Sequence, residues 1–428
     1  MKYNTQNSKI ASITEKTLIV GIDVGSQVHY ARAFDWRNYE YSRKPFAFSN
    51  DEEGFMAFKN WMNDIAEKHD KEVVLPGMEP TGHYWFTLGR YLREQGIKLV
   101  MVNPYAVKQT KELDDNDPSK NDGKDPKVIA KLVLDGRYSI PYVPTGAYAD
   151  LRILSADRQR IVKEIGQIKN RFARWFAIYF PEYCEVFGSY ESKSSMLLLR
   201  VASTPESIVA LGVEGICRIW REAKIRAVGT KRATTLYETA QRSIGHDQGT
   251  SAAKLEMALL LEDYEAKAKQ LAFVMAALET TLREIPEAEK LLTIKGIGII
   301  SVAGFLAEVG DLRRFESPKQ IQKLAGLSLR ENSSGKHKGQ TTISRRGRDK
   351  LRQVLFNAVI PLLATNEEFR SLHQYFTTRT VNPLKKKQSA IALCGKLIRV
   401  FYAIMVHGVE YDGKKMLADI HRKEPMTA

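Results

Sequence analysis

Four carboxylates in the amino-terminal third of the chain have positions that suit metal-dependent phosphodiester chemistry. Asp23 and Glu79 each follow a short apolar segment, and Asp122 and Asp125 stand three residues apart at a predicted helix start. Carboxylates that lie close together repel each other. Mg²⁺, which takes oxygen ligands in octahedral geometry, commonly offsets this repulsion. The four acids together predict a Mg²⁺ site, which could hold two ions that activate a nucleophile and stabilise the leaving oxygen.

The elements that must position these acids form a mixed α/β sheet. Short apolar segments typical of strands alternate with amphipathic segments typical of helices. The predicted strands are residues 17–22, 27–34, 45–48, 72–75 and 97–102, and the predicted helices are residues 51–69, with Asp51 as the cap, and 84–95. The ends of parallel strands meet at one sheet edge, so Asp23 and Glu79 are expected to face a shared cation.

Each acid also has a simpler interpretation. Asp23 would suit the phosphate loop of an actin-like ATPase, although the further glycine-rich loops of that class do not follow Gly96. Glu79 could be an acid in a turn. Asp125 could cap a helix that has Pro126 at its first position. The nearby Asp114, Asp115 and Asp117 are interpreted as solvated loop charges.

Composition indicates a polyanionic partner. The 428 residues suggest two or three domains. Lys and Arg number 65 against 50 Asp and Glu, a net charge of +15, which favours nucleic acid. The three cysteines lie far apart, so neither a disulfide framework nor a zinc site is predicted. Residues 1–16 lack the apolar core of a signal peptide, and no stretch is expected to span a membrane. A cytoplasmic protein is expected.

Two long helices with apolar seams are predicted at residues 151–179 and 257–285. Both seams have the three-four spacing of coiled coils. An intramolecular antiparallel hairpin and a dimer seam explain them equally well. Residues 189–250, between the helices, suggest short helices joined by Gly and Pro turns.

The carboxy-terminal region combines a glycine hairpin with a basic segment. Residues 292–309 have the form of a helix-hairpin-helix, in which Gly296 and Gly298 let backbone amides approach a DNA phosphate. An ordinary glycine-capped turn is the alternative. The segment after residue 333 offers phosphate contacts at Lys336, Lys338, Arg345, Arg346, Arg348, Lys350 and Arg352. A second basic cluster on the first long helix comprises Arg152, Arg158, Arg160, Lys163, Lys169, Arg171 and Arg174. Solvated helix faces are the alternative for both clusters.

The motifs together resemble the DEDD transposases of insertion-sequence family one-ten, relatives of the Piv invertase, from about residue 17 to residue 408. In the amino-terminal half they are GIDVGS (21–26), MEPTG (78–82) and KNDGKD (120–125). In the carboxy-terminal half they are IKGIG (294–298), FLAEVGD (305–311), FESPKQ (315–320), AGL (325–327), SG (334–335) and ISRRG (343–347). Pro126 departs from the family pattern, which has a small helix former there.

The resemblance implies a ribonuclease-H-like (RuvC-like) catalytic domain whose Mg²⁺ ligands are Asp23, Glu79, Asp122 and Asp125. It also implies that Ser334 attacks the scissile phosphate and forms a covalent link to DNA, so that rejoining needs no ATP. A structured bridge RNA would pair with donor and target DNA, and a dimer or tetramer would combine acids and serine from different subunits. Such a protein belongs to the prokaryotic cytoplasm and joins the nucleoid during the reaction.

The expected organisation is an amino-terminal extension (1–16), the DEDD domain (17–150), a coiled-coil linker or dimerisation region (151–286), a mostly helical transposase domain carrying the serine (287–410) and a tail (411–428). The alternatives to a recombinase are a metal-dependent Holliday-junction resolvase or nuclease, which would not need Ser334, and a non-catalytic nucleic-acid-binding protein.

Overall fold

The chain forms two compact units. In the computed structural model, the described residues are 2–42, 44–80, 82–115, 125–226, 228–330, 333–334, 337–338 and 341–417. The amino-terminal unit comprises Met1–Val143, and the carboxy-terminal unit comprises Pro144–Ala428.

A six-stranded mixed sheet is the centre of the amino-terminal unit. Its strands are β1 (Thr17–Asp23), β2 (Val28–Phe34), β3 (Phe46–Ser49), β4 (Val73–Met78), β5 (Val100–Val102) and β6 (Tyr138–Ser139). The spatial order is β3-β2-β1-β4-β5-β6. Strand β1 runs antiparallel to β2 and parallel to β4, and β4 runs parallel to β5. The predicted mixed sheet is therefore confirmed, with β6 as an additional antiparallel edge strand.

Helices cover both faces of this sheet. They are α1 (Lys2–Ala11), α2 (Glu52–Lys68), α3 (Trp85–Glu94), α4 (Pro104–Asp115) and α5 (Asp125–Leu134). Helices α2 and α3 pack on one face through residues such as Phe58 and Leu88. Helix α5 packs on the other face through Ile129 and Val133. The predicted cap of α2 is confirmed, because the Asp51 carboxylate accepts the Gly54 amide at 2.7 Å.

Two parts of the amino-terminal unit differ from the sequence-based expectation. Asp114 and Asp115 end helix α4 and are not loop residues. Residues 104–115 are mainly polar and show no clear apolar periodicity, so their sequence does not predict this helix. In addition, α1 packs as part of the unit: Gln6 Nε2 donates to the Asp135 carbonyl at 2.8 Å, and Lys9 Nζ contacts the Tyr138 carbonyl.

Two long antiparallel helices, α6 (Ala147–Tyr179) and α11 (Thr250–Arg283), pair with each other in the carboxy-terminal unit. Trp175 Nε1 donates to the Ala253 carbonyl at 2.9 Å, and Lys267 pairs with Glu164 at 2.7 Å. Of the two alternatives for the apolar seams, the structure shows the intramolecular hairpin. A dimer seam on the same helices stays a prediction.

Short helices close the far end of this hairpin. They are α7 (Tyr183–Phe187), α8 (Lys193–Val201), α9 (Pro205–Glu222) and α10 (Thr230–Gln241). Trp175, Tyr183 and Trp220 are buried in their shared core. The prediction of short helices between the two long ones is confirmed.

The remaining helices pack around the other end of the hairpin. They are α12 (Pro286–Leu292), α13 (Ile299–Val309), a 3-10 turn (Leu312–Arg314), α14 (Pro318–Leu324), α15 (Asp349–Thr365), α16 (Glu367–Thr378), α17 (Lys386–His407) and α18 (Gly413–Leu417). Contrary to expectation, α17 is long and apolar enough to cross a membrane. Its Leu393, Leu397 and Phe401 are instead buried in this core, as in the central helix of a globular domain.

Two two-stranded antiparallel sheets, which we call the ribbon, interrupt these helices. Strand β7 (Leu329–Arg330) pairs with β10 (Thr342–Ile343), and β8 (Ser333–Ser334) pairs with β9 (His337–Lys338).

Candidate active site

Two paired glycines let helix α5 lie directly on the sheet. Gly21 of β1 and Gly77 of β4 are neighbours in the parallel register. A Cβ atom on Gly21 would lie 1.8 Å from the Pro126 carbonyl oxygen, and one on Gly77 would lie 2.4 Å from Cγ2 of Val133. Only glycine permits so close an approach at these positions. The contact fixes the start of α5, and with it Asp125, over the ends of β1 and β4.

The strand alternation brings the predicted acids to the same face. Side chains two residues apart in a strand project to one side of the sheet. Asp23 follows Gly21 by two residues, and Glu79 follows Gly77 by two, so both acids share the face covered by α5. Asp23 and Glu79 are half-buried, and the Asp125 side chain is 17% exposed. Asp23 and Glu79 therefore lie on the face of the sheet against which α5, the helix that begins at Asp125, packs.

The surroundings of Glu79 disfavour its ionised form. Burial raises the pKa of Glu79, and the neighbouring Asp125 carboxylate raises it further, while the Lys111 ammonium group opposes the rise. Lys111, on α4, forms an ion pair with Oδ1 of Asp125. That oxygen is buried, and its contact with Lys111 lacks hydrogen-bond geometry. The Lys111 ammonium group thus interacts favourably with both partly buried carboxylates, those of Asp125 and Glu79.

The donor set fits a hard divalent cation. Carboxylate oxygens are the ligands that Mg²⁺ prefers, and the buried Oδ1 of Asp125 has no hydrogen-bond partner in the described structure. Within the described residues, no three acidic, imidazole or thiol groups lie close enough to hold one ion. Asp122, the remaining predicted ligand, lies outside the described residues, as does Asp117.

The predicted nucleophile lies on the ribbon of the carboxy-terminal unit. Ser334 pairs with His337, and Ser333 pairs with Lys338, in the antiparallel β8–β9 ladder. The Ser-Ser dipeptide is therefore part of a strand and not simply a flexible turn. Lys336 and the side chains of Ser334 and Lys338 lie outside the described part of the chain, so their roles stay predictions.

The basic residues after the ribbon divide into two groups. Arg345 and Arg346 are exposed. By contrast, Arg348 forms an ion pair with Glu308 at 3.5 Å, and Arg352 Nη1 donates to the Ala325 carbonyl at 2.9 Å. The two exposed arginines are free of such internal bonds in the described structure, which favours them as phosphate contacts over Arg348 and Arg352.

The segment predicted as a helix-hairpin-helix comprises helix α12, a turn and helix α13, an arrangement that an ordinary glycine-capped turn also gives. Gly296 has a φ of 96°, and a Cβ atom there would lie 2.5 Å from Oγ1 of Thr365, so this glycine is needed for packing on α15. Gly298 precedes α13 and faces open space. A phosphate contact at either glycine stays a prediction.

Sequence reasoning missed Lys111 because it missed α4. In the sequence, Lys111 is one lysine in a polar segment, and nothing there indicates that it pairs with Asp125.

Comparison with known protein families decides the identity of the chain. A transposase family, the DEDD transposases of IS110, matches residues 20–181. A second, the transposases of the IS116/IS110/IS902 family, matches residues 288–374. The first match contains the acids, and the second contains the serine ribbon. The chain belongs to the IS110 family of DEDD transposases. It is a DNA transposase, and the family resemblance predicted from the motifs is confirmed.

Individual relatives of this transposase include an insertion-element protein, a probable transposase and a gene-inverting protein. It is 26% identical to the uncharacterised 42 kDa protein of insertion element IS900 from Mycobacterium paratuberculosis, over 67% of this chain and 71% of the relative. It is 25% identical to a probable family 20 transposase of Pseudomonas aeruginosa, over 77% and 83%. A shorter match, 34% identical over 29% of this chain and 38% of the relative, is to a pilin gene-inverting protein of Moraxella bovis.

Proposed function

We propose that this IS110-family transposase cuts and rejoins DNA strands with metal-bound carboxylates and a serine nucleophile. Asp23, Glu79, Asp122 and Asp125 would hold Mg²⁺, and Ser334 would attack the scissile phosphate. The observation that supports the proposal is that Asp23 and Glu79 share the sheet face on which α5, beginning at Asp125, packs through Gly21. The raised pKa of Glu79, caused by burial and by the Asp125 carboxylate, is consistent with a site that a cation would stabilise.

The proposed step exchanges one phosphorus–oxygen ester bond for another, so the bond energy is conserved. The Ser334 oxygen forms a bond to phosphorus, the bond from phosphorus to a deoxyribose oxygen breaks, and that oxygen leaves as a free hydroxyl after taking up a proton. The serine loses its own proton to solvent or a nearby base, because a neutral hydroxyl is a poor nucleophile. Mg²⁺, when bound, lowers the cost of the charge on the attacking and leaving oxygens. A second deoxyribose hydroxyl then attacks the same phosphorus. The new DNA phosphodiester forms as the bond to Ser334 breaks, so joining needs no ATP.

The acids and the serine belong to different compact units. An active centre would therefore be composite, and it could combine the acids of one subunit with the serine of another in a dimer or tetramer. The protein's DNA partners are a donor and a target. A bridge RNA that pairs with both is part of the proposal, supported by the net charge of +15 and by the exposed Arg345 and Arg346.

Metal dependence tests the carboxylate half of the proposal. End-labelled donor and target DNA, together with the RNA encoded beside the gene, should be cut in Mg²⁺ and remain intact in EDTA. Asp23→Asn, Glu79→Gln and Asp125→Asn should each lose cutting, whereas Glu94→Gln, on the exposed face of α3, should retain it. Cutting that survives the three site substitutions would overturn the assignment of these ligands. Omitting the RNA should abolish joining, and joining that persists without it would remove the RNA from the proposal.

A further inference from the structure

Lys111 stands where it would compete with a cation. Its ammonium group contacts Oδ1 of Asp125, the buried oxygen without a hydrogen bond. The same positive charge also interacts with the Glu79 carboxylate and lowers its pKa. Helices α4 and α5, which carry the pair, pack against each other.

We propose that Lys111 is a displaceable internal cation, which compensates the carboxylates in the metal-free protein and must leave Asp125 when a divalent ion binds. The inference rests on the proposed metal site. A ligand oxygen of Mg²⁺ lies about 2.0–2.1 Å from the ion, which leaves no room for an ammonium group on the same oxygen. A lysine ammonium at the end of a flexible four-carbon stem can move away without disturbing the backbone.

Two consequences follow from this competition. The metal-free site does not carry the full repulsion of its carboxylates, because Lys111 offsets part of it. Binding of a divalent ion is weakened by the free energy of the ion pair that must break. The pair is about one-third exposed on the lysine side, so solvent screening keeps that free energy small.

The experiment measures Mn²⁺ binding to the full chain by titration calorimetry, with no DNA present. Lys111→Gln should bind Mn²⁺ about two- to fivefold more tightly than the unchanged protein, because the competing ammonium group is gone. Its unfolding temperature should be lower in EDTA, and saturating Mn²⁺ should raise that temperature by more than in the unchanged protein. Lys108→Gln removes an exposed charge from the same helix and should behave like the unchanged protein.

Other outcomes separate this inference from the function on which it rests. Equal or weaker Mn²⁺ binding by Lys111→Gln would overturn the competition, and weaker binding would instead make Lys111 a residue that positions the ligands. If Lys111→Gln does not fold, Lys111→Arg keeps the positive charge and should bind Mn²⁺ no more tightly than the unchanged protein; tighter binding would contradict the competition. If the unchanged protein binds no Mn²⁺ that Asp23→Asn abolishes, the proposed metal site fails, and this inference fails with it.

Discussion

The carbonyl oxygen of Pro126 lies where a Cβ atom on Gly21 would be, 1.8 Å from its ideal position. This contact between the first turn of α5 and the centre of β1 fixes the position of Asp125 relative to Asp23. The contact is made by the Pro126 backbone, so a different side chain at residue 126 would leave it in place.

Gly21→Ala should therefore damage the site through the backbone. The added methyl group must push α5 away from β1, and overpacking of this kind costs about 1–3 kcal/mol. We expect a lower urea midpoint for the amino-terminal unit and weaker Mn²⁺ binding. Gly166→Ala is the matched control, because a Cβ atom there meets no atom within 4 Å inside helix α6. It should stabilise the protein slightly, since alanine favours helix. Unchanged stability in Gly21→Ala would show that α5 does not pack closely against Gly21.

Parts of this arrangement were predictable from local sequence, and others depended on tertiary packing. The apolar segments ending in Asp23 and Glu79 predicted two strands with acids at one edge, and the structure has both strands in parallel register. Nothing local to either segment shows that Gly21 faces Gly77, because strand register is set by the whole sheet. The importance of Ser334 came only from the family resemblance, since a Ser-Ser-Gly sequence alone predicts a turn.

Glu79→Gln should make the metal-free protein more stable. Burial and the Asp125 carboxylate both disfavour the ionised form of Glu79, so its negative charge destabilises the folded state at neutral pH. The unfolding temperature in EDTA should rise in this variant, and the stabilisation by Mn²⁺ should disappear. Glu94→Gln alters an exposed ion pair with Arg90 and should change neither quantity appreciably. A lower unfolding temperature for Glu79→Gln in EDTA would contradict the proposed repulsion.

Asp35 should contribute to the acid stability of the amino-terminal unit. Burial raises the pKa of this carboxyl, but hydrogen bonds from the Tyr39 and Arg37 amides, both at 2.8 Å, and the Arg37 guanidinium outweigh it and lower the pKa below its ordinary value. A lowered folded-state pKa gives stability that is present above the unfolded-state pKa of about 3.9 and is lost as pH falls through the folded-state value.

The substitution Asp35→Asn tests whether the ionised carboxylate of Asp35 stabilises the folded protein. It should destabilise the protein by roughly 1–3 kcal/mol at pH 7, and the difference should shrink as the pH falls below about 4. Chemical denaturation across this pH range measures it, with the exposed Asp64→Asn as the control. A difference between Asp35→Asn and the unchanged protein that stays constant down to pH 2 would exclude the charge of Asp35 as its cause.

Arg345 and Arg346 should contact phosphates, whereas Arg352 should act mainly on folding. The double substitution of Arg345 and Arg346 by Gln should weaken DNA binding on all sequences. It should also reduce the slope of log K against log salt by up to about 2, since each released phosphate contact contributes about 0.9. Its unfolding temperature should not change.

Arg352→Gln loses the bond to the Ala325 carbonyl and should lower the unfolding temperature. Filter binding at several salt concentrations measures the slopes. If the double variant kept the slope of the unchanged protein, these arginines would not be phosphate contacts.

The most direct test of the composite serine and metal mechanism is a denaturing gel that detects DNA covalently attached to protein. The reaction contains the full chain, Mg²⁺, the RNA encoded beside its gene and end-labelled donor and target DNA. We predict a protein-linked DNA band that persists in Ser333→Ala and disappears in Ser334→Ala and in Asp23→Asn. Cleaved DNA ends that carry no protein and survive Ser334→Ala would contradict the account, and they would indicate a metal-dependent nuclease or junction resolvase in which Ser334 is only part of the ribbon.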